Sequence, residues 1–216
     1  MNVVISGTSS GIGKAIAERF LAEGHDVFAY DVCEATIAHP RYTHYVSDIR
    51  DSDLPRPPAA AHVLINSAGT LEESEAIDVN LMGAIHFTKL FAEEPELRSI
   101  LFIASASARN GAEFPLYVAS KAGIVGYMKN LALDVARRGV TCNAISPGGV
   151  ITSSNDHILQ SEELYAQVKA ETLLGKWAEP SEVADLAYFL TVTNRSITGE
   201  DILIDNGEML KSNFIW

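Results

Sequence analysis

The sequence predicts an α/β fold in which a doubly wound, mostly parallel sheet of seven strands is covered by helices on both faces. Short apolar runs alternate along the chain with longer amphipathic stretches, as repeated strand–helix units require. Several of these runs are apolar on both faces, which is typical of a sheet with helices on either side. The expected strands are residues 2–6, 26–31, 42–47, 62–66, 100–105, 140–145 and 201–204.

Helices are expected between most of these strands. In the first, Ile12, Ile16 and Phe20 recur on one helical face, and Gly24 is placed to end the helix in the left-handed conformation. The segment 51–61 contains three prolines and is expected to connect two strands without a helix. Further helices are predicted over residues 74–92, 116–138, 161–174 and 180–193.

Composition limits the classes of function. The 216 residues show no polar linker that would divide them, so we expect one domain over residues 1–216. Sixteen Lys and Arg against 28 Asp and Glu leave a net charge of −12, which would repel nucleic acid and anionic lipid. Nucleic acid is therefore not expected as a partner.

The cysteines and the apolar runs indicate the compartment. Cys33 and Cys142 are too few for a disulfide framework or a four-thiolate metal site, and no metal is expected. No run reaches the roughly 18 apolar residues that a membrane helix needs. Met1 leads directly into an apolar strand rather than a signal sequence. We therefore expect a cytoplasmic protein that does not associate with membranes.

A glycine-rich turn follows the first predicted strand. Gly7, Gly11 and Gly13 stand between this strand and the first helix, where absent Cβ atoms let main-chain N–H groups approach a pyrophosphate. The other residues assigned to this binding turn are Ser9, Ser10 and Ile12.

The second strand ends at Asp31, either a solvated loop acid or a ligand of the adenosine ribose. In the second role its carboxylate would accept from both ribose hydroxyls and repel a 2′-phosphate. Its position after the glycine turn favours that role, and the sequence predicts NAD(H) in preference to NADP(H).

A tyrosine and a lysine share one face of the helix predicted over residues 116–138. Tyr117 and Lys121 are four residues apart. A phenol titrates near pH 10, and a neighbouring ammonium would lower its pKa and make it a usable acid or base at neutral pH. Because such pairs also occur by chance on helix surfaces, the surrounding motifs decide their meaning.

Six motifs resemble, in order, those of the classical short-chain dehydrogenase/reductase family, which has a Rossmann fold. They span nearly the whole chain, so a chance assembly of all six is negligible. The matching pieces are residues 7–13, 66–69, 79–81, Ser105 with Tyr117 and Lys121, 143–148 and 197–199.

The resemblance implies hydride transfer between a nicotinamide and a small alcohol or carbonyl compound. Tyr117 would be the acid/base, and Lys121 would lower its pKa and hold the nicotinamide ribose. Ser105 would bind the substrate oxygen, and Asn80 would stabilise a helix kink and a proton-relaying water. The interval from Ser105 to Tyr117 is one residue shorter than usual, and Ser107 is expected to be either a loop residue or a secondary substrate contact.

The resemblance also assigns the remaining cofactor contacts. Asp48 and Ile49 would contact the adenine, and Ile151 and Thr152 would bind the carboxamide through the main chain and the hydroxyl. Asn66, Ala68 and Gly69 would pass along the adenosine ribose, while Pro147, Gly148 and Val150 would lie beside the nicotinamide. Asn206 replaces a usual glycine and is expected to take the left-handed conformation.

The substrate is expected to be a small molecule that enters beneath residues 151–178, a loop and helix that we expect to act as a mobile lid. An alternative is a reductase of 3-oxoacyl groups that are attached to acyl-carrier protein or to coenzyme A. An acidic carrier would meet a chain of like charge, although Arg109, Arg137 and Arg138 could form a basic patch.

Two further expectations concern assembly and catalysis. The resemblance implies a homodimer or homotetramer, with the apolar tail 213–216 at an interface. A non-catalytic dinucleotide-binding regulator is a third reading of the chain. It is disfavoured because Tyr117 and Lys121 are both present.

Overall fold

Seven parallel strands form one sheet in the order β3-β2-β1-β4-β5-β6-β7. The computed structural model describes residues 1–210. The strands are β1 (Asn2–Ser6), β2 (Asp26–Asp31), β3 (Tyr42–Val46), β4 (Val63–Asn66), β5 (Ser99–Ile103), β6 (Thr141–Pro147) and β7 (Asp201–Ile204). Strand order reverses at β1, which pairs with β2 on one side and β4 on the other. Such a switch point opens a crevice at the carboxyl ends of the strands.

Helices cover both faces, which confirms the predicted fold class. They are α1 (Gly11–Ala22), α2 (Glu73–Ala76), α3 (Ala84–Phe91), α4 (Ser107–Asn110), α5 (Pro115–Val135), α6 (Asp156–Leu159), α7 (Glu162–Ala170) and α8 (Pro180–Tyr188). A π-helical segment, Ile77–Gly83, joins α2 to α3, and another, Phe189–Thr193, follows α8. Short 3₁₀ turns are Ala136–Arg138, Ser153–Asn155 and Glu208–Leu210.

Alternation along the strands builds two cores. Val3 and Ile5 of β1 pack with Phe20 of α1 on one face of the sheet. Val4, between them, packs with Phe87 of α3 on the other face. All five side chains are inaccessible to solvent, as expected for strands that carry apolar residues on both faces.

The helix predicted over residues 161–174 is shorter than expected. Ser161 starts it, because its hydroxyl accepts from the amide of Leu164, but α7 ends at Ala170. The Thr172 hydroxyl donates to the carbonyl of Lys169, and the amide of Leu174 donates to the carbonyl of Asn206. A local side-chain bond and one bond to a distant loop thus replace the helical ones.

Two local predictions are confirmed. Residues 51–61 contain no helix, and Leu54 within them packs into the core. Asn206 has a φ of 55°, in the left-handed region. Within residues 1–210 every helix is too short or too polar to cross a lipid bilayer.

Candidate active site and cofactor cleft

The glycine-rich turn lies at the carboxyl end of β1 and contacts the segment after β4. Gly7 has a φ of 77°, and a Cβ there would lie 2.5 Å from the Cα of Ala68. A Cβ at Gly13 would lie 1.8 Å from the carbonyl oxygen of Gly7. Only glycine fits these two positions, so the sequence requirement inferred for the turn has a steric cause in the fold.

The turn also lies beside a segment that the sequence assigns to the nicotinamide end of a dinucleotide. A Cβ at Gly11 would lie 3.5 Å from the Thr152 methyl carbon, although Thr152 is more than a hundred residues away. Helix α1 begins at Gly11 after Ser10, whose side chain makes no capping bond. The first N–H groups of α1, including that of Ile12, are therefore left without a side-chain cap, as a helix N-terminus that binds an anion requires.

A buried amide at the end of β4 also fits a bound ligand. Both polar atoms of the Asn66 side chain are buried and without a hydrogen-bond partner within the described residues. Buried polar groups without partners are rare and need an explanation. Together with the glycine cradle, this orphaned amide makes the cleft suited to a dinucleotide.

Asp31, at the end of β2, lies beside the glycine-rich turn. Its two carboxylate oxygens accept from the amides of Ser9 and Cys33, each at 2.9 Å. The carboxylate is therefore attached directly to the glycine-rich turn. An ionised carboxylate keeps further lone pairs for ribose hydroxyls.

Asp48 and Ile49, after β3, differ in what they can offer an adenine. The Asp48 carboxylate pairs with Arg50 at 2.6 Å, and this hydrogen-bonded guanidinium lowers the pKa of Asp48. Ile49 is 4% exposed, and its side chain packs where a Cβ at Gly83 would lie 2.9 Å away. Any contact of Ile49 with an adenine would thus depend on its main chain.

The catalytic residues inferred from the sequence meet between β5 and α5. Ser105 is 8% exposed and follows β5, and Tyr117 and Lys121 lie in the first two turns of α5. The Ser105 oxygen accepts from the Ser107 hydroxyl at 2.8 Å and from the Ser107 amide at 3.2 Å. Ser107 thus orients Ser105, and both serines are buried.

Lys121 is buried and donates to the carbonyl of Ile103 at 3.0 Å. Burial lowers its pKa to about 8, an effect that Glu113 partly offsets. Its Nζ lies 5.7 Å from the centre of the Tyr117 ring.

The pKa of Tyr117 differs from the sequence expectation. Burial raises it to about 12, which the Ser105 hydroxyl partly offsets and the Glu113 carboxylate increases. The sequence predicted that Lys121 would lower the pKa of Tyr117, but burial of the phenol raises it instead. The ammonium of Lys121 donates to the carbonyl of Ile103 and not to the Tyr117 oxygen.

Asn80 lies in the π-helical segment, where the sequence places a kink. Its Oδ1 accepts from the amide of Thr70 at 2.7 Å, and its Nδ2 donates to the carbonyl of Thr70 at 3.0 Å. The same Nδ2 donates to the Ser120 hydroxyl at 3.1 Å. A Cβ at Gly69 would lie 3.1 Å from Asn80 Oδ1 and 3.4 Å from Lys121 Nζ, so Asn80 and Lys121 converge beside Gly69.

The start of the segment after β6 is held by main-chain bonds to Ala178. The amide of Ile151 donates to the carbonyl of Ala178 at 2.9 Å, and Val150 forms a bridge with Ala178. The expected main-chain contact of Ile151 with a carboxamide is thus left to its carbonyl oxygen. Pro147 ends β6, and a Cβ at Gly148 would lie 2.8 Å from the Asp205 Cβ.

Two carboxylates near the site were missed by the sequence reasoning. Glu113 has a φ of 93°, and burial followed by the Glu208 carboxylate raises its pKa. A Cβ at Gly148 would lie 3.0 Å from Glu208 Oε2, which places Glu208 over the predicted nicotinamide segment. Glu113 precedes Tyr117 by four residues and could have been suspected from that spacing, but nothing local marks Glu208.

Comparison with known proteins agrees with this geometry. The family described as enoyl-(acyl carrier protein) reductase matches residues 61–208, more than half of the chain. The chain belongs to the classical short-chain dehydrogenase/reductase family. Its seven-stranded parallel sheet covered by helices is the fold expected for a short-chain dehydrogenase/reductase.

Similar members of the family have several named activities. L-rhamnose 1-dehydrogenase (NADP⁺) of Thermoplasma acidophilum is 28% identical, with 97% of this chain and 96% of that protein aligned. A 3-oxoacyl-[acyl-carrier-protein] reductase of Buchnera aphidicola is 27% identical over 94% of this chain and 95% of its own.

Solved structures show the same fold. Ligand-free aldohexose dehydrogenase of Thermoplasma acidophilum superimposes with a TM-score of 0.87 at 27% identity, covering 100% of this chain and 96% of its own. A mutant 4-hydroxyisoleucine dehydrogenase complexed with NADH and succinate gives 0.86 at 26% identity, covering 99% and 100%.

Proposed function

We propose that this protein is a single-domain, NAD-dependent oxidoreductase that interconverts a small alcohol and its carbonyl compound. The observation that carries the proposal is the cluster of Ser105, Tyr117 and Lys121 at the carboxyl ends of the strands, beside a cleft that fits a dinucleotide. The domain covers residues 1–216, with residues 151–178 on the substrate side.

The cleft supports a division of roles along the cofactor. Asp31 would hold the adenosine ribose, and Asn66 with Gly69 would pass along the same ribose. Asp48 and the main chain of Ile49 would contact the adenine. The N–H groups at the start of α1 would hold the pyrophosphate. Thr152 and the carbonyl of Ile151 would hold the nicotinamide end, where the bound cofactor supplies the hydride donor or acceptor.

The protein's own residues would manage the proton. Tyr117 would give its phenolic proton to the carbonyl oxygen during reduction, or take the alcohol proton during oxidation. Because both acceptor positions of Ser105 are used by Ser107, the Ser105 proton remains for the substrate oxygen, where charge develops. Lys121 would stabilise the phenolate and hold the nicotinamide ribose, and Asn80 would hold a water between Lys121 and solvent.

The choice of NAD(H) rests on Asp31. Its carboxylate already accepts two main-chain N–H groups, which fix it beside the glycine-rich turn, where it would repel a 2′-phosphate. Relatives differ on this point, since one is named as NADP⁺-dependent and another was solved with NADH.

Reduction of carrier-bound 3-oxoacyl groups is the second candidate, because one relative is named for it. Against it, two of the three arginines considered for a carrier-binding patch are engaged within the chain. Arg109 donates to the Asp201 carboxylate at 2.9 Å, and Arg138 pairs with Glu93 at 3.2 Å. If carrier-bound substrate were reduced efficiently, and Arg109→Glu with Arg137→Glu abolished that reduction, this candidate would replace the first.

Assembly and location complete the proposal. We propose a cytoplasmic homodimer or homotetramer that has neither nucleic acid nor membrane as a partner. The tail 213–216, expected at an interface, lies outside the described residues. Light scattering of the full chain and of a chain ending at residue 210 tests this expectation, since an unchanged mass would contradict it.

The direct test is NADH oxidation measured across a panel of small aldehydes, ketones and oxo acids. Tyr117→Phe should lose activity by roughly a thousandfold or more, because general acid catalysis is removed. Tyr127→Phe, on the same helix, is the matched control and should keep wild-type turnover. Full activity in Tyr117→Phe would disprove the mechanism.

A further inference from the structure

A chain of hydrogen bonds joins the glycine-rich turn to the edge strand β3. The Thr8 hydroxyl lies 2.9 Å from the Tyr42 hydroxyl, which lies 3.0 Å from Nδ1 of His44. Nε2 of His44 lies 2.9 Å from the carbonyl oxygen of Cys33. Three side chains thus connect the turn after β1 with the loop after β2.

This chain closes into a ring through Asp31. The amide of Cys33 donates to one oxygen of the Asp31 carboxylate and the amide of Ser9 donates to the other. Ser9 is bonded through its peptide to Thr8, where the chain began. The loop is also tied from outside the ring, because Thr36 donates to the carbonyl of Ser9 at 2.8 Å.

The proton positions in the ring are determined by its chemistry. The Cys33 carbonyl can only accept, so Nε2 of His44 is the donor to it. With the proton of the imidazole assigned to Nε2, Nδ1 accepts from the Tyr42 hydroxyl. The Tyr42 oxygen then accepts from the Thr8 hydroxyl. Thr8 is completely buried, so the loss of this partner would leave a polar group without water.

We propose that Tyr42 and His44 are positioning residues for the adenosine ribose of the cofactor. Through the ring they hold the Asp31 carboxylate and the glycine-rich turn in the relative position that the ribose diol and the pyrophosphate require together. Asp31 keeps lone pairs for the ribose, while both of its oxygens are held by ring members. The inference rests on the proposed function, because it presupposes a nicotinamide dinucleotide in this cleft.

The test compares two tyrosines of the same strand. Tyr42→Phe removes both hydrogen bonds of the phenol and keeps the aromatic side chain, so it opens the hydrogen-bonded ring at one point. Tyr45→Phe is the matched control, because within residues 1–210 the Tyr45 hydroxyl makes no hydrogen bond, although its ring packs on Tyr30. Binding of NADH and of ADP-ribose is measured by fluorescence and calorimetry, without a carbonyl substrate.

Tyr42→Phe should raise the Kd of both probes about tenfold, which corresponds to the loss of one to two hydrogen bonds. In turnover the effect should fall on KM for NADH rather than on kcat. Tyr45→Phe should bind both probes like the wild type. His44→Gln, which keeps a donor for the Cys33 carbonyl, should bind more tightly than His44→Ala and provides the same comparison should Tyr42→Phe not fold.

Two results would overturn the inference. One is unchanged affinity of Tyr42→Phe for ADP-ribose, and the other is a lower melting temperature with an unchanged Kd, which would make the ring a purely structural feature. Failure of the proposed function would look different, because the wild type itself would then bind neither NADH nor NADPH.

Discussion

The Ser107 hydroxyl donates to the Ser105 oxygen at 2.8 Å, and the Ser107 amide donates to the same oxygen at 3.2 Å. A hydroxyl oxygen has two acceptor positions, so both positions of Ser105 are filled. Its single proton is therefore not used by Ser107 and faces the Tyr117 hydroxyl, where it partly offsets the increase in pKa that burial causes; in the proposed mechanism a substrate oxygen accepts it. The pair supports the proposal that Ser105 contacts the substrate and that Ser107 orients Ser105.

Removing the two hydroxyls separately should give unequal losses. We expect Ser105→Ala to lower kcat by about 100-fold, because a hydrogen bond to the developing charge is lost. Ser107→Ala should lower kcat by only about tenfold, because the amide of Ser107 still holds Ser105. Steady-state kinetics at saturating cofactor test both, and a larger loss in Ser107→Ala would exchange the two roles.

The buried ammonium of Lys121 should reduce the stability of the protein. Its pKa of about 8 in the folded chain lies below the ordinary value of 10.5, so folding disfavours the charged form. The penalty is complete below pH 8 and disappears as the pH rises through about 8 to 10.5. A shift of this size corresponds to roughly 3 kcal/mol.

Lys121→Met should therefore raise the free energy of unfolding by roughly 2 kcal/mol at pH 7, after subtraction of the bond lost by the Ile103 carbonyl. The gain should be much smaller at pH 10. Urea unfolding at both pH values measures it, and a gain that is equal at both would contradict the explanation. Lys129→Met, at an exposed position of α5, is the control and should change stability by less than about 0.5 kcal/mol.

Replacing a glycine by alanine should be harmful at position 13 and stabilising at position 126. Gly13→Ala would place a Cβ 1.8 Å from the Gly7 carbonyl oxygen, so the turn must deform and NADH affinity should fall by more than about tenfold. Gly126 lies within α5 with nothing within 4 Å of an added Cβ. Gly126→Ala should stabilise the protein by about 0.5–1 kcal/mol. Thermal melts and NADH titrations check both, and normal NADH binding by Gly13→Ala would refute the steric argument.

Asp31→Ala should weaken the discrimination between cofactors. We expect the KM for NADH to rise about tenfold, because the ribose loses its acceptor, and the repulsion of a 2′-phosphate disappears. The ratio of kcat/KM for NADPH to that for NADH should therefore increase by at least about tenfold. Kinetics with both cofactors measure this ratio, and an unchanged ratio would remove Asp31 as the selecting residue.

Much of the fold could be predicted because its signals are local. The expected strands at residues 2–6, 26–31 and 201–204 coincide with β1, β2 and β7, and the other four differ from the observed strands by at most two residues at either end. The end of α7 could not be predicted, because Leu174 donates to Asn206, a residue more than thirty positions away. Helical periodicity contains no information about such a partner.

The same division applies to the candidate site. The spacing of Tyr117 and Lys121 placed them on one helical face, and the chain order of the motifs identified the family. The direction of the Tyr117 pKa shift was wrong for the chain by itself, because burial at this position depends on how β5 and α5 pack. Arg109, considered as part of a basic patch, pairs with Asp201, which is 92 residues away.

The sequence by itself determined the alternation of strands and helices, the glycines that the turn requires and the residue types of the catalytic cluster. Each of these depends on the conformational preferences of a few neighbouring residues. The tertiary structure decided which partner each polar group takes, from the Ser105–Ser107 pair to the ring through Tyr42 and His44. A buried hydrogen bond needs donor and acceptor within about 3 Å, and only the packing of distant segments brings them that close.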